Sequence, residues 1–553
     1  MTASFQREEA LARLRDEQFE VLVIGGGITG AGVALDAAAR GLRTALVEGH
    51  DFASGTSSRS SKLVHGGLRY LQQREYRLVR ENLVERRRLL ANAPHLVRPL
   101  PFLVPVLGRA GSSTAARVRA YSTALWLYDV FGGLRAGTAR HRRIATTEVC
   151  AHFPALRPEL VRAGFIFHDA HADDARLTLA VVRTAVLDHG AVAANHARVA
   201  AILKDGAGRA CGARLADGTE VRAVAVVNAT GVWADDVLAL DEGSHPHSLR
   251  PAKGIHLTVA REKLACHLAT VLPVAADGRS IFVVPWSDRV YLGTTDTDYD
   301  GPLDDPQCTP ADVAYVLDAV NAAVGQPLEE ADVVGMWAGL RPLVASGGSS
   351  RTTDLSRRHR VATSASGVVT VTGGKLTTYR KMAADTVDVV VARLGAGRAG
   401  ASPTAGLALR GAAGTGQLQG RAAAGAARRL GTTAEGLAHL VARYGGETPA
   451  VLALAGEDDA LAEPLVPGLA YLRAEAVYAA RHEMATTVED VLSRRTRCLL
   501  LDAAASAAAA PAVARLLAPE LGWTRADEER QVSSFLATVA RQREAAGLAV
   551  AGT

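Results

Sequence analysis

The sequence predicts a mixed α/β body followed by an all-helical C-terminal domain. Residues 18–50 have the order strand, glycine turn, helix, strand, which is typical of the first part of a Rossmann-type unit. Residues 250–300 contain several short strand patterns. The interval 394–420 is rich in Gly, Ala and Pro and has no period, which indicates a linker. Beyond it the pattern is helical to about residue 545.

The first strand ends in glycines that are spaced for binding a dinucleotide. Val21–Gly32 reads VLVIGGGITGAG, in which Gly25, Gly27 and Gly30 fit G-x-G-x-x-G. The first glycine allows a tight turn, the second lets a pyrophosphate approach the backbone, and the third lets the helix pack on the strand. Glu48 ends the next strand, where a carboxylate can accept hydrogen bonds from an adenosine ribose.

The next elements are less regular. Residues 51–70 are polar and glycine-rich, and a loop of that length in a compact protein usually carries function. Residues 73–92 have apolar residues at helical spacing among many charges, which predicts a surface helix. From about 98 to 107 the sequence RPLPFLVPVL predicts a β segment interrupted by prolines.

The rest of the body repeats the strand–glycine pattern. A helix is expected to start with Asp173 or Asp174 as its N-cap. Further strands end in glycine turns at Thr230–Gly231 and Gly373–Gly374, and a helix begins near Leu376. Such sites lie far apart in the sequence but can converge on one extended cofactor, which we expect here together with the N-terminal glycines. The alternative for each is an ordinary glycine turn after a strand.

Composition excludes several classes of protein. The chain has 553 residues, which suggests about three or four domain-sized units. Its formal net charge of +5 is small for this length. That charge does not suggest a nucleic-acid partner, but it suits anionic substrates or anionic lipid surfaces.

The cysteines and the hydropathy pattern indicate the cellular compartment. There are five cysteines with no C-x-x-C pair, which argues against a disulfide framework, a zinc site or an iron–sulfur cluster. The N-terminus lacks the apolar region of a signal peptide, and no run of about 20 apolar residues occurs. We therefore expect a cytoplasmic protein whose membrane contact is peripheral at most.

Several motifs together carry a resemblance to a known family. They are GGGITGAG, SSKLVHGGLRYL, DDARL, VNATGVWADD, VVPWSDRVYLGTTDTDY, LRPL and GGKLTTYRKMA. With these motifs the chain resembles the FAD-dependent glycerol-3-phosphate dehydrogenases of the aerobic, quinone-linked type, from about residue 18 to about residue 540. The resemblance implies a glutathione-reductase-like FAD-binding domain interleaved with an antiparallel-sheet substrate domain, plus a C-terminal helical domain.

The resemblance also sets domain boundaries. The oxidoreductase body is expected at 18–395, followed by a linker at 396–420 and a helical domain at 421–545. Within the body, the FAD-binding parts are expected at about 18–75, 165–235 and 335–395, and the substrate or cap parts at about 76–164 and 236–334.

The implied reaction is oxidation of sn-glycerol 3-phosphate to dihydroxyacetone phosphate, with hydride transfer to flavin N5 and electrons passed to a membrane quinone. The substrate is a phosphate dianion, so cations are needed to bind it. Arg69 and Arg341 follow glycine-containing turns from which a side chain can enter a cleft. By resemblance the substrate pocket comprises Arg69, Tyr70, Arg341, Arg357 and Lys375, and Arg358 could take the place of Arg357.

The hydroxyl group of the substrate needs a base. His65 and His256 are candidates because histidine titrates near neutral pH, and His256 is slightly favoured. Arg341 is the third residue expected in the catalytic set.

Hydroxyl and ammonium groups of the 51–70 loop are expected at the cofactor. Thr56, Ser57 and Ser58 could donate to the diphosphate, or the serines could merely cap turns. Lys62 and His65 are expected near the flavin ring. The full cofactor set is Gly25, Gly27, Gly30, Glu48, Thr56, Ser57, Ser58, Lys62, Gly231 and Gly374.

No metal site is expected. The acids within Thr294–Asp298 have no accompanying His or Cys cluster, so they are interpreted as turn formers.

A basic, aromatic segment is the candidate membrane contact. Between Arg109 and Arg143 the chain carries seven arginines against one acid, Asp129, with Trp126 and Phe131 among them. Such a pattern suits a helix lying on anionic lipid, and it equally suits a buried cap helix with solvated ends. The C-terminal helices could pack on the body or on a second copy, so a homodimer is one arrangement the sequence allows.

Other functions stay open at this point. An oxidase of the same family would use oxygen, and oxygen access to a flavin cannot be deduced from sequence. An amine- or amino-acid-oxidising flavoenzyme of the same superfamily is a second alternative, against which the phosphate-binding cations argue. A non-catalytic flavin-binding partner protein is the third.

Overall fold

The computed structural model describes residues 4–72, 74–108, 112–133, 140–274, 277–344, 358–395 and 397–549. Over these residues the fold has two sheets and a helical C-terminal domain, which confirms the predicted class. The strands are β1 (Gln18–Ile24), β2 (Thr44–Val47), β3 (Leu63–Val64), β4 (Val97–Leu107), β5 (Arg142–Ile144), β6 (Val161–Ala172), β7 (Val192–Ala194), β8 (Val199–Lys204), β9 (Ala210–Leu215), β10 (Glu220–Asn228), β11 (Leu249–Ala260), β12 (Ala269–Pro273), β13 (Ser280–Trp286), β14 (Arg289–Gly293), β15 (Thr297–Asp298), β16 (Val333–Val344), β17 (Arg360–Thr363) and β18 (Val369–Thr372).

Helices pack on both sheets of the body and form the end of the chain. Those of the body are α1 (Arg7–Asp16), α2 (Ile28–Ala39), α3 (Leu68–Gln72), α4 (Tyr76–Asn92), α5 (Ser112–Gly132), α6 (Thr146–His152), α7 (Asp174–Leu187), α8 (Ala234–Glu242), α9 (Pro310–Asn321) and α10 (Tyr379–Leu394). Those of the C-terminal domain are α11 (Ala423–Arg429), α12 (Ala434–Tyr444), α13 (Thr448–Ala455), α14 (Arg473–Glu483), α15 (Cys498–Leu501), α16 (Ala503–Leu521) and α17 (Arg525–Ala545).

The first sheet has the order β17-β18-β10-β1-β2-β7, with β8 and β9 forming a side hairpin on β10. Strand β1 runs parallel to β2 and β10, with Val23 beside Leu46 and Val227. Six of its seven residues are buried, as expected for a strand covered on both faces. Helices α2, α7 and α10 pack together on this sheet. The carboxyl ends of β1, β2, β10 and β18 therefore meet at one edge.

Local sequence explains how the flanking helices begin. The side chain of Asp173 accepts a hydrogen bond from the Arg176 backbone N–H at 3.2 Å, so the predicted N-cap of α7 is confirmed. A short 3-10 turn covers Leu376–Thr378, and α10 continues from Tyr379. The helix predicted near Leu376 is thereby confirmed as well.

The second sheet is largely antiparallel, in the order β15-β11-β14-β13-β12-β4-β6-β3, with β16 on β11 and β5 on β6. Strand β4 corrects an expectation, because it is continuous through Pro99, Pro101 and Pro105 and pairs with β6 along its length. On its other side β12 pairs only near Phe102 and Leu103. Alternate residues direct their nitrogens to one strand edge, so the three prolines can share the edge facing away from β6.

The connection between the domains packs against the body. Thr404 and Leu409 are buried. The Thr404 hydroxyl donates to Asp36 at 3.0 Å, and the Leu409 N–H donates to the Asn92 carbonyl at 2.8 Å. Among the described residues, no helix combines the length and the hydropathy needed to cross a bilayer.

Candidate active site

Two adjoining cavities lie where the sheets meet. The larger, which we call the cofactor groove, encloses about 320 Å³ at the carboxyl ends of β1, β2, β10 and β18. The smaller, the inner cavity, encloses about 200 Å³ and extends towards the second sheet. Both are lined by Thr56, Gly373, Gly374 and Lys375. A ligand in the groove can therefore present one end to the inner cavity.

The three glycine turns meet as predicted. Gly25, Gly27, Gly231 and Gly374 all line the cofactor groove, although they come from distant parts of the chain. A groove at the carboxyl ends of parallel strands is where α/β folds bind nucleotides.

Steric contacts explain two of these glycines. Gly25 has φ +108°, and a Cβ atom there would lie 2.7 Å from the Ala229 carbonyl oxygen. A Cβ atom on Gly30 would lie 1.9 Å from the Gly25 carbonyl oxygen. Gly30 is buried and does not line the groove, so its role is to let α2 pack against the turn.

The Glu48 carboxylate lines the groove and is held by backbone donors. Its Oε2 accepts from the Gly26 N–H at 2.6 Å, and its Oε1 accepts from the His50 N–H at 2.8 Å. Burial raises the pKa of Glu48 above its ordinary value, while the two backbone hydrogen bonds oppose that rise. Each oxygen keeps further acceptor capacity, which suits the ribose hydroxyls of a dinucleotide.

The hydroxyls of residues 56–58 face different ways. Thr56 lines both cavities and donates to the Leu340 carbonyl at 2.7 Å. Ser57 lines the groove, and its Oγ accepts from the Ile28 N–H at 2.9 Å, so it caps α2. Ser58 lines neither cavity, and its hydroxyl lies 3.4 Å from the Gly55 carbonyl. The contacts of Ser57 with Ile28 and of Ser58 with Gly55 are those expected if the serines cap turns, the alternative to donating to the diphosphate.

Lys62 is placed elsewhere than sequence analysis predicts. It lines neither cavity. Its Nζ lies 3.1 Å from Asp174 Oδ1 and donates to the Ser58 carbonyl at 3.1 Å. Burial, together with the nearby charge of Arg497, lowers the pKa of Lys62 to about 8. The Lys62 ammonium therefore stabilises the 51–70 loop through Ser58 and Asp174 and does not face the cofactor groove.

The inner cavity gathers most of the expected substrate residues. His65, Tyr70, His256, Arg341 and Lys375 all line it. The side chain of Arg69 and the whole of Arg357 lie outside the described residues. Arg358, the alternative to Arg357, is exposed, forms an ion pair with Glu75 at 3.2 Å and does not line the cavity.

Arg341 lies on β16 and is held in place by neighbouring strands. Its Nη1 donates to Asp296 Oδ1 at 2.9 Å, and its Nη2 donates to the Thr295 carbonyl at 3.1 Å. The sequence predicts the acids of Thr294–Asp298 only as turn formers, whereas Asp296 is the counter-ion of Arg341. A contact across 45 residues of chain has no local sequence signal.

Lys375 and Tyr70 form a second cationic feature. The Lys375 Nζ lies 3.8 Å from the centroid of the Tyr70 ring, which is a cation–π contact. Tyr70 is buried, so the ring fixes the ammonium at the point where the groove opens into the inner cavity.

His256 is buried and neutral. Its Nε2 lies 2.9 Å from the Ser61 Oγ, and its ring stacks on Trp337 with centroids 4.7 Å apart and planes at 10°. Burial, reinforced by the charges of Lys62 and Arg341, holds the pKa of His256 well below its ordinary value. Within the described part of the chain, its Nδ1 has no hydrogen-bond partner. A bare lone pair on Nδ1 costs less than a bare N–H, so Nε2 carries the proton.

His65 also lines the inner cavity and is partly buried. Its backbone N–H donates to the Thr377 hydroxyl at 3.2 Å. That contact ties His65 to the turn that follows Gly374, beside the mouth of the groove.

One cluster outside the cavities has donor types that could suit a metal. Asp51, His196 and Asp490 offer ligand atoms within 4.8 Å of one another. Arg495 and Arg494 each contact Asp51 at 2.6 Å, and Arg494 also pairs with Asp490. The two guanidinium groups already balance the two carboxylates, so the cluster is a salt-bridge network.

Comparisons with known proteins agree with this geometry. Residues 20–380 match the family described as FAD dependent oxidoreductase, and residues 402–528 match the C-terminal domain of alpha-glycerophosphate oxidase. The chain is 43% identical over 541 residues to glycerol-3-phosphate dehydrogenase 2 of Mycobacterium tuberculosis, covering 97% of this chain and 90% of the relative. It is 36% identical to the human mitochondrial glycerol-3-phosphate dehydrogenase, covering 96% of this chain and 74% of that protein.

A solved structure is similar over nearly the full length. It is the glycerol-3-phosphate dehydrogenase from Bacillus halodurans complexed with FAD, with 32% sequence identity and a TM-score of 0.78. The match covers 98% of this chain and 98% of that chain.

Proposed function

The chain belongs to the FAD-dependent glycerol-3-phosphate dehydrogenases, and from this membership we propose how its own residues oxidise sn-glycerol 3-phosphate to dihydroxyacetone phosphate. The observation that carries the proposal is the shared wall of the two cavities, where Gly374 and Lys375 face both. It lets a cofactor in the groove and a small phosphate ester in the inner cavity come into contact.

The groove fits FAD by the chemistry of its donors. Gly25 and Gly27 leave the backbone bare where a diphosphate would approach, and Glu48 offers carboxylate oxygens for ribose hydroxyls. The bound flavin supplies the two-electron acceptor for the hydride from C2 of the substrate. Thr56, Gly231 and Gly374 complete the proposed contacts, and Ser57 acts through the cap of α2.

The inner cavity fits a phosphate dianion. Arg341 supplies a guanidinium already oriented by Asp296 and Thr295, and Lys375 supplies an ammonium oriented by Tyr70. A forked guanidinium can hold two phosphate oxygens at once. We keep Arg69 and Arg357 as further phosphate ligands, on the resemblance alone.

We assign the base to His65. A base must take the hydroxyl proton as the hydride leaves, and it works best when its pKa lies near the working pH. His256 is a poor acceptor because burial and two nearby cations disfavour its charged form. His65 lines the same cavity near the groove, so it can reach a hydroxyl between the two. His256 then forms part of the wall that fixes the substrate carbon chain.

For the electron acceptor we propose a membrane quinone, which is typical of this family and requires the protein to sit on a bilayer. Helix α5 is the proposed contact, because Trp126 is 58% exposed on it and Tyr76 of α4 is 46% exposed nearby. Large exposed aromatic side chains beside basic residues suit a lipid interface. Phe131 packs on Tyr76 with ring centroids 6.0 Å apart and supports this surface from within. A homodimer of this chain stays a prediction.

A flotation assay tests the membrane proposal. Trp126→Ser should lower the fraction that floats with vesicles containing anionic lipid. Leu536→Ser, which removes a 41% exposed side chain from the C-terminal helix α17, should not lower it. Equal flotation of both variants and the parent protein would contradict the assignment to α5.

A substrate and acceptor panel tests the activity itself. The purified protein should reduce a soluble quinone analogue with sn-glycerol 3-phosphate and not with glycerol or amino acids. Stoichiometric hydrogen peroxide with no quinone reduction would indicate an oxidase. Turnover of amines or amino acids in place of the phosphate ester would overturn the proposed substrate.

A further inference from the structure

The loop of residues 58–62 connects the cofactor groove to the inner cavity, and its carbonyl groups are held by its own Lys62 and by side chains from distant segments. The Ser58 carbonyl accepts from Lys62 at 3.1 Å and from Arg497 at 3.0 Å. The Ser60 carbonyl accepts from the Trp337 indole at 3.1 Å, and the Ser61 carbonyl accepts from the Tyr291 hydroxyl at 2.9 Å.

Asp174 is the anion at the centre of this arrangement. It accepts from the Ser60 N–H at 3.0 Å and from the Ser60 hydroxyl at 2.6 Å. Lys62 lies 3.1 Å from it, and Arg497 forms a close ion pair with it. All three charged side chains are 4% exposed or less. Buried charges of this kind are costly unless each is paired and hydrogen-bonded.

Arg497 reaches the body from the C-terminal domain. It follows the π-helical turn Asp490–Arg495 and has φ +84°, which starts α15 in a new direction. Its Nη1 donates to the Ser493 carbonyl at 3.0 Å, and its Nε lies 3.1 Å from Asp173 Oδ1. The guanidinium is therefore fixed from both domains.

The held loop lines the inner cavity with three residues, Arg59, Ser60 and Ser61. Ser61 lines that cavity, and its hydroxyl contacts His256 Nε2 at 2.9 Å. Trp337, which bonds the Ser60 carbonyl, also stacks on His256. The Lys62 ammonium lies 4.7 Å from the Trp337 ring centroid. The loop therefore bears on the position of the His256 ring through Ser61 and through Trp337.

We propose that Arg497 of the C-terminal domain is a positioning residue for substrate oxidation. It holds the 58–62 loop through the Ser58 carbonyl and Asp174, and the loop in turn holds Ser61 against His256. The inference rests on the proposed function of the inner cavity. It gives the C-terminal domain a part in the reaction that is separate from binding the phosphate group, since Arg497 does not line the inner cavity.

The effect should appear in the rate rather than in substrate affinity. Among the described residues, the contacts of Arg497 run to Ser58, Asp173, Asp174 and Ser493. Because Arg341 and Lys375 belong to other segments, phosphate binding should persist when the loop shifts. A small misplacement of cavity groups can slow a reaction by up to about 100-fold. We expect Arg497→Lys, which keeps the charge but not the fork, to slow reduction of the bound flavin roughly 10- to 100-fold with KM changed less than about 3-fold.

The test is anaerobic stopped-flow flavin reduction by saturating sn-glycerol 3-phosphate, in the FAD-bound protein. Arg497→Lys, Ser61→Ala and the double variant are compared after flavin content and thermal stability have been measured. The matched control is Arg481→Lys, since Arg481 pairs with Glu520 inside the C-terminal domain at 2.7 Å. We expect both single variants to be slow and the double variant to be no slower than the slower single one, because both act through the same contact.

Three results would overturn the inference. One is a parental rate in Arg497→Lys. Another is a parental rate in Ser61→Ala, which tests the same contact if the arginine variant does not fold. The last is a double variant whose slowing is the product of the two single effects, because independent actions multiply. Failure of the parent protein to react at all would instead count against the proposed function.

Discussion

The guanidinium of Arg341, which lines the inner cavity, lies 2.9 Å from the carboxylate of Asp296. The pair joins β16 to the segment before β15, and the arginine is 26% exposed on the cavity side. Asp296 fixes the fork of Arg341 before any substrate arrives. The guanidinium lines the inner cavity, where its positive charge attracts a phosphate group.

Replacing Arg341 should weaken the reaction strongly. Arg341→Ala removes a charge-assisted contact to the phosphate group and the guanidinium that pairs with Asp296. Transition-state stabilisation should fall by about 2–5 kcal/mol, so kcat/KM should fall roughly 30- to 5,000-fold. Steady-state kinetics with a quinone analogue measure this. Arg250→Ala is the control, because Arg250 pairs with nearby Asp298 but does not line the cavity. An equally small loss of kcat/KM in both variants would contradict the assignment of Arg341 to the phosphate site.

Kinetic comparison of variants should distinguish the roles of His65 and His256. His65→Gln should lower the rate of flavin reduction by about 10²–10⁴-fold, the range typical for loss of a general base. His256→Gln should lower it less, because the low pKa of His256 makes it a poor proton acceptor. The limb of the pH–rate profile on the acid side should disappear in His65→Gln and persist in His256→Gln. A larger loss in His256→Gln, with loss of the acid limb, would instead assign the general base to His256.

A single methyl group should abolish cofactor binding. Gly30→Ala places a Cβ atom 1.9 Å from the Gly25 carbonyl oxygen, so the turn that lines the groove must move. We expect purified Gly30→Ala to contain little FAD and to bind it weakly on reconstitution, as measured by absorbance in the flavin band. Gly206→Ala meets no atom within 4 Å and should keep the parental flavin content. A fully yellow Gly30→Ala protein would contradict the steric argument.

Two histidines, the buried His95 and the partly buried His171, predict a loss of stability in mild acid. Burial lowers the pKa of His95 and of His171 from 6.5 to about 4. Between pH 6.5 and 4 the unfolded chain binds a proton at each site and the folded chain does not, so the free energy of unfolding falls as pH falls through this window. For the nearly fully buried His95 the loss at pH 5 is about 2 kcal/mol.

Unfolding experiments from pH 7 to pH 5 test this sign. His95→Gln should show a shallower decline than the parent protein, and His247→Gln, which changes an exposed histidine, should not. A parental slope in His95→Gln would mean that His95 is already protonated in the folded protein.

The features predicted from sequence are those with local signals. The glycines at 25, 27 and 30 follow a strand directly, and their spacing together with Glu48 was enough to place the groove. The N-cap at Asp173 is likewise local. Strand β4 was thought to be interrupted because its prolines are visible in sequence, whereas the edge they face depends on which strands pair with it.

The missed features depend on contacts between distant parts of the chain. Lys62 was expected at the flavin because it lies in the right loop, but Asp174, 112 residues further on, binds its ammonium. Arg497 pairs with the same carboxylate across 323 residues. Nothing near Arg497 in sequence distinguishes it from the neighbouring arginines at 494 and 495, and only the fold reveals which carbonyl it reaches.

Anaerobic bleaching of the purified yellow protein tests the central claim most directly. The claim is that the glycine-lined groove holds FAD beside a cationic cavity for a three-carbon phosphate ester. One equivalent of sn-glycerol 3-phosphate added under argon should remove the flavin absorbance, while glycerol should leave it unchanged and Arg341→Ala should need far more of the ester. A protein that cannot be reconstituted with FAD, or one that stays oxidised in excess ester, would contradict the account.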